Sequence, residues 1–555
     1  MKKKNKLFVL GTGVVTSMLT FALVGCNGPT AVSSFGGQSS SGGTTTSSGE
    51  SISSGTDDQD GIFETKSIER DLEFDDENNP LFDDEIRIKV WSIIGDPDQV
   101  IFQKLVDQFN SEYLGQIHID LVYQGHFDYY SALDTTWVND FESFPDVCFM
   151  HNEKTVEYAY KGYLYPLDSL FDETKVTMDL SQIYSNIDRV TQYKNHRFAL
   201  PVDAHGFVTQ FRQDIIKKNG LGFDNNTRFI PNSRAEYSEL LQKLREKADK
   251  GELLVRNINR SSNHAWKTAN ASAFYPEFTQ STDPDGLSAL YANGGSLLNE
   301  AQDTVVFQNN KGFETYVTDQ VDRWNNKLMG ESGTAVEMFG TGSTVMFSEG
   351  PWWVSQTYSA NWNNTELKTA DASKGVSEED ASDPILNTPY TASRPTNWWT
   401  LDENASTENG TKWFGNGHAI SVTRHCTSMQ KVAAALTFMK WYTQEKTEAT
   451  DTYHLTTWCS SGHIPAWKNV YDSADYKDLL EKNLTCRALG DPKDVIALEG
   501  LEYESTIVSV VADSCTNVIN ELKSSSGCTK ERAVQIISEV AEGAQAMLDL
   551  LTEEF

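Results

Sequence analysis

From Ile86 onward the chain switches between two periodicities, and that alternation limits the folds open to it. Ile86-Arg87-Ile88-Lys89-Val90-Trp91-Ser92 alternates apolar and polar residues as a strand does, and Val100, Ile101, Leu105, Val106 and Phe109 then fall on one side of a helix. Ile117 to Tyr123 repeats the strand pattern, and the apolar run Pro145 to Met150 precedes another helical stretch over residues 154–163. Strands alternating with helices predict an α/β lobe on a mainly parallel sheet. Ligands bind such sheets beyond the carboxyl ends of the strands. Those ends are Trp91 to Asp96, Tyr123 to Phe127, and His151-Asn152, all rich in aromatic and hydrogen-bonding side chains.

Further on, Arg197 to Asp203 leads into the strand-like Phe207 to Phe211, and Ser343 to Phe347 runs into Glu349-Gly350-Pro351-Trp352-Trp353. Gly417 to Val422 precedes a helix with Val432, Ala435, Leu436 and Met439 at helical spacing. The chain closes on a long helix, Glu531 to Leu551, with Val534, Ile537, Ala541, Ala544 and Leu548 on one side. Both helices are read as core packing.

The N-terminus has a different character. Lys2, Lys3, Lys4 and Lys6 precede an apolar run from Leu7 to Val24 that is diluted by glycine, serine and threonine and ends in Gly25-Cys26. This is the layout of a signal peptide, too short and interrupted for a spanning helix. Leu23-Val24-Gly25-Cys26 resembles a bacterial lipobox, which implies removal of residues 1–25 and a diacylglycerol-modified Cys26 anchoring the chain to the outer face of the cytoplasmic membrane. Residues 26–85 then read as a tether, first Ser/Gly/Thr-rich and then acidic around Asp75-Asp76-Glu77 and Asp83-Asp84-Glu85, expected to be poorly ordered.

About 470 residues remain, enough for two lobes of ordinary domain size. With 46 basic against 79 acidic residues, the net charge of −33 excludes a polyanionic partner such as nucleic acid. Of seven cysteines, six remain once Cys26 is lipidated, and disulfides are permitted outside the cytosol, with the pairing open. There is no CxxC and no Cys/His group with zinc spacing, so no metal is expected, and the histidines, scattered singly, read as core or surface residues. G-x-S-x-G, Walker and HExxH motifs are lacking, and the abundance of carboxylates singles out no glycosidase pair. No catalytic residue and no cofactor is expected.

Several short stretches, in order, carry a resemblance over nearly the whole body: Val90-Trp91, Pro145-Asp146-Val147, Gly162 to Asp168, Leu200-Pro201-Val202-Asp203, Gly294 to Leu297, Gly350-Pro351-Trp352, Gly417 to Ile420 and Gly462-His463-Ile464-Pro465. Together they resemble family 1 of the extracellular solute-binding proteins, the group that includes maltose-binding protein. The resemblance implies a periplasmic-binding-protein-like fold of type II: two α/β lobes joined by crossover strands, with a ligand cleft between them. Lobe one would use residues 86–205 and 415–470, lobe two 206–400 and 471–555, with 361–409 as an insertion. It implies a monomeric receptor that passes a small molecule, most readily an oligosaccharide, to the permease subunits of an ABC importer.

A pyranose offers apolar faces and a belt of hydroxyls, so a sugar site needs aromatic platforms and planar polar partners. Trp352 leads the candidates, because the Gly-Pro-Trp tryptophan often stacks on sugar in the family, with Trp353 beside it. Trp91 and Asp96 follow the first strand, and His151 and Asn152 follow the third. Asp203 and His205 lie at the first crossover, where a carboxylate could accept two hydroxyl hydrogen bonds. Trp398 and Trp399 form an exposed-looking pair in the insertion, whereas Trp458 and His463 read as structural. Three alternatives stay open: a receptor for a polyol, glycerol phosphate or polyamine, a surface lipoprotein that captures polysaccharide without a transporter, and a surface glycosidase.

Overall fold

The computed structural model describes residues 59–553 apart from 83, 97, 126–127, 280–284, 332–333, 351–361, 363–364, 402–411, 497, 499 and 502–503. In chain order its principal strands are β1 (Ile86–Ser92), β2 (Ile117–Tyr123), β3 (Val147–His151), β4 (Leu200–Pro201), β5 (Asp203–Ala204), β6 (Val208–Phe211), β7 (Glu277–Thr279), β8 (Met329–Glu331), β9 (Met346–Glu349), β10 (Thr391–Ser393), β11 (His418–Val422) and β12 (Ile464–Pro465). Helices used below are α1 (Gln99–Glu112), α2 (Lys311–Asn325), α3 (Met429–Gln444), α4 (His454–Cys459), α5 (Glu504–Lys523) and α6 (Lys530–Glu553).

Two five-stranded sheets follow one plan. The first runs β2-β1-β3-β11-β4 and the second β8-β7-β9-β6-β10. In each, the first three strands are parallel, and the fourth place is taken by an antiparallel strand that has just arrived from the other lobe: β11 beside β3 with His418 opposite His151, and β6 beside β9 with Val208 opposite Glu349. β3 and β11 are buried along their whole length, which is why they read as unbroken apolar runs.

The predicted βαβ unit forms as expected. α1 buries Phe102, Leu105, Val106 and Phe109 against the first sheet. Val100, counted on that side, is instead 68% exposed, because two residues turn a helix by about 200° and set it opposite Phe102. α3 buries Val432, Ala435, Leu436 and Met439, and α6 lays Ile537, Ala541, Ala544 and Leu548 into the second core beside Val511 and Val518 of α5. No helix among the described residues is long and apolar enough to cross a membrane. The six cysteines beyond Cys26 are separate, buried thiols, so the permitted disulfides do not form.

Each lobe has its own apolar core, and three segments carry the chain between them. Neighbouring residues in these segments enter different cores: Phe207 the second and Val208 the first, Trp413 the first and Phe414 the second, Val495 the first and Leu498 the second. The third crossing corrects the expected boundary, because Tyr476, Leu489 and Val495 pack in the first core rather than the second.

The acidic stretch expected to be disordered is also corrected. Ile68 is 3% exposed, and Ile62, Phe63, Leu72 and Phe82 pack against the first core. The strap is stitched to the start of α3: the Glu69 N–H donates to Thr427 O (2.8 Å), Met429 N–H donates to Glu69 O (2.9 Å), and Asp71 accepts from Ser428 Oγ (2.6 Å) and Gln430 N–H (3.1 Å). Counting charges hid these spaced apolar anchors. Because Asp71 satisfies a backbone donor in the first turn of α3, Asp71→Ala should cost about 1 kcal/mol. It should also speed proteolytic cleavage within residues 64–82, which timed digestion followed by mass spectrometry would read; an unchanged cleavage rate would mean that the strap is held by its apolar residues alone.

Candidate functional site

The antiparallel arrangement of β6 and β11 turns both sheets so that the carboxyl ends of their parallel strands meet the crossing segments. β3 ends at His151 opposite the first residue of β11, and β9 ends at Glu349 opposite the first residue of β6. The first two crossings are locked together, with His205 N–H donating to Asn416 O (2.9 Å), Asn416 N–H to His205 O (2.9 Å) and Val202 N–H to His418 O (2.7 Å). Such close passage requires glycine: a Cβ on Gly417 would lie 2.1 Å from the Asp203 carbonyl oxygen, and one on Gly206 would lie 2.4 Å from the Trp413 ring.

Asp203 stands at this junction, 0% exposed. Its carboxylate faces the backbone N–H of His418 (3.0 Å), the indole N–H of Trp458 in α4 (2.5 Å), and the Nδ1 atoms of His418 (2.9 Å), His463 (3.1 Å) and His205 (3.4 Å). β5 pairs with β12, Asp203 opposite Pro465, which holds His463 in reach. His151 completes an imidazole cluster, its ring stacked 5.4 Å from His418, while Tyr130 Oη accepts the His151 N–H and lies 3.1 Å from its Nδ1. Four of the chain's ten histidines therefore meet in one buried place.

Burial governs the protonation of His205 and His463. It pushes His463 down to about 3 and lowers His205, which favours neutral imidazoles. Burial alone would raise Asp203, but His418 and His463 pull it well below the usual carboxylate range. Asp98, 6% exposed at the start of α1, is raised well above its usual value by burial and by Asp203, and Glu153 is pushed up to about 7 by burial.

Asp203, His205, His151 and Asn152 are thus brought together, and Asn152 N–H donates to Gly417 O (2.9 Å). Asp203 is placed as a hub whose two oxygens are taken up by protein donors, not as an open acceptor for ligand hydroxyls. Trp91 packs on Phe144 in the first core, and of that pair only Asp96 faces solvent. The expected exposure of Trp398 and Trp399 is corrected. Trp398 is 0% exposed, stacked on Tyr237 at 5.5 Å, and Trp399 donates to Asp285 (3.0 Å) with the Arg323 guanidinium 4.7 Å over its ring, so the pair closes the second core. Trp352, Trp353 and Cys26 lie outside the described residues. Trp458, read as structural, is a buried donor to Asp203, and sequence reasoning missed His418, Asp98 and Glu153; the one available signal was that His418 and His463 both follow glycines in resembling stretches.

Two α/β lobes of one plan, joined by crossing segments toward which both sheets turn their strand ends, define a two-lobed periplasmic-binding-protein-like fold. The sequence profile of the bacterial extracellular solute-binding proteins matches residues 104–482, and the chain belongs to that family. Its fold is similar to the GacH receptor of Streptomyces glaucescens, solved unliganded and with acarbose (TM-score 0.59, 15% identity, 83% of this chain and 99% of that one). It is also similar to the ABC substrate-binding protein Lmo0181 of Listeria monocytogenes, in complex with cycloalternan (0.57, 14%, 84% and 100%), and to UgpB of Mycobacterium tuberculosis, in complex with glycerophosphocholine (0.58, 14%, 84% and 99%). No protein of curated function matches the chain.

Proposed function

We propose that this chain is the lipid-anchored receptor of an ABC importer, which binds an oligosaccharide between its lobes and hands it to the permease. The observation that carries the reading is the convergence of strand carboxyl ends from both sheets on the crossing segments, the place where α/β sheets hold ligands. Family membership supports the receptor role, and the acarbose and cycloalternan complexes of proteins with this fold support a carbohydrate. The lipobox-like Leu23 to Cys26 supports the anchor. Closure follows from ligand contacts that exist only in the closed form, since only differential affinity shifts such an equilibrium.

A glycerophosphodiester is the second reading, favoured by the glycerophosphocholine complex of UgpB. A thermal-shift screen of the mature chain separates the two. A cognate ligand at a hundred times its Kd stabilises the protein by about 2.7 kcal/mol, a shift of a few degrees. One oligosaccharide series should raise the Tm, and Trp352→Ala should abolish the rise. A flat response to every sugar with a rise on glycerophosphocholine would replace the carbohydrate assignment.

A further inference from the structure

We propose that Asp203, His205, His418 and His463 form a binding site for one divalent transition-metal ion of the zinc class, which clamps the crossing segments together. One ligating atom from each residue lies within 4.8 Å of the other three, and all four residues are buried. The three separations between the Asp203 carboxylate and the imidazole Nδ1 atoms are 2.9, 3.1 and 3.4 Å. Ligands bound to Zn2+ at about 2.0–2.2 Å in a tetrahedron stand roughly 3.3–3.5 Å apart, so small side-chain shifts would bring these donors to the spacing of a coordination shell. Three imidazoles and one carboxylate favour zinc and its neighbours over magnesium or calcium, which take oxygen ligands.

Without a metal, the edge of this cluster is satisfied by hydrogen bonds only if Asp98 is protonated and donates to His463 Nε2. Protons on all three Nδ1 atoms would turn every Nε2 into an acceptor. His463 Nε2 lies 3.2 Å from Asp98 Oδ2 yet makes no hydrogen bond. Asp98 Oδ1 is likewise without a partner, and although Asp98 occupies the N-cap position of α1, its side chain caps nothing. A metal on His463 Nδ1 removes the conflict: Nε2 then carries the proton and donates it to Asp98, giving the carboxylate–histidine–metal arrangement that orients metal-bound imidazoles. The two carboxylates also balance a dication in a dry interior. The ligands come from β5 and the residue after it, from the start of β11, and from the turn before β12. The ion would therefore fix the first two crossings to each other and to the first lobe.

The test uses the mature chain, stripped with a chelator and then given ZnCl2. About one Zn2+ per chain should survive gel filtration, with a rise in Tm, and CoCl2 in its place should give the intense visible bands of tetrahedral cobalt. His418→Ala and His463→Ala should abolish retention, whereas His118→Ala, in a partly exposed histidine of β2, should leave it unchanged. Should the ligand variants fail to fold, Asp98→Asn decides: it keeps all four ligands and should weaken zinc affinity about 10- to 100-fold. Folded wild type that retains no zinc and gains no Tm would overturn the site. So would weak octahedral cobalt bands, retention that survives loss of both histidines, or an Asp98→Asn variant with unchanged affinity.

Discussion

Asp203→Ala should lower the stability of the chain by about 2–5 kcal/mol, the cost of leaving at least two buried donors without an acceptor. The carboxylate serves five nitrogen neighbours in the dry interior, and two of them cannot reverse their role: the Trp458 indole and the His418 backbone N–H only donate. Without Asp203 both would be buried and unpaired. Asp203→Asn tests the same point at constant shape. Its amide offers one acceptor in place of two, so whichever way it turns, an NH2 group faces either the indole N–H or the backbone N–H. The asparagine variant should therefore be clearly destabilised, though less than the alanine variant. Urea unfolding followed by tryptophan fluorescence is the measurement, and an asparagine variant as stable as wild type would mean that charge and acceptor count at the hub do not matter.

The hub also marks the limit of what the sequence makes legible. The βαβ start of the first lobe is readable because its signals are local: alternation in β1 and the spacing of Phe102, Leu105, Val106 and Phe109 depend only on residues within one or two turns. The same holds for the buried faces of α3 and α6. The imidazole cluster has no such signal, because residues 203, 418 and 463 meet only when β11 returns from the second lobe and pairs with β3 and β4, and β12 pairs with β5. Trp398 and Trp399 were misplaced because tryptophan at a turn looks the same whether it lines a cleft or seals a core, and burial is decided by Tyr237, Tyr316 and Arg323 far away in sequence. The strap over residues 59–82 hid behind its charge, since net charge reports solubility while a few spaced apolar side chains decide docking.

Asp214→Ala should cost the second lobe a similar amount, about 3–5 kcal/mol, for a different reason. Asp214 lies between two guanidiniums, and all three side chains are fully buried. Arg212 meets it bidentately through Nε (2.9 Å) and Nη2 (3.0 Å), and Arg256 adds Nε at 2.8 Å. The arginines are also tied to the backbone: Arg212 Nη1 donates to Phe339 O (2.6 Å), Nη2 to Arg256 O (2.9 Å), and Arg256 Nη2 to Leu386 O. Removing the carboxylate leaves two buried positive charges without their direct counter-ion, with Arg256 still feeling the charge of Asp380. Burial alone would raise the Asp214 carboxyl, but Arg212 and Arg256 hold it below its usual value. A depressed carboxyl contributes stability that is complete above the unfolded value of about 3.9 and is lost as pH falls through the lower folded value. The gap between wild type and Asp214→Ala should therefore be constant from neutral pH down to about pH 4 and close only below it, with little response to salt because the pair is buried. Paired urea titrations at pH 7 and in strong acid would read it, and a gap that widens in acid would rule out the ionised triad. Comparing this variant with Asp203→Ala adds a second reading, because one lesion lies in the second lobe and the other at the crossings. If three crossings couple the lobes into one cooperative unit, both variants should move a single shared transition; if Asp214→Ala splits the unfolding curve in two, the lobes unfold separately, and the second is the one that melts first.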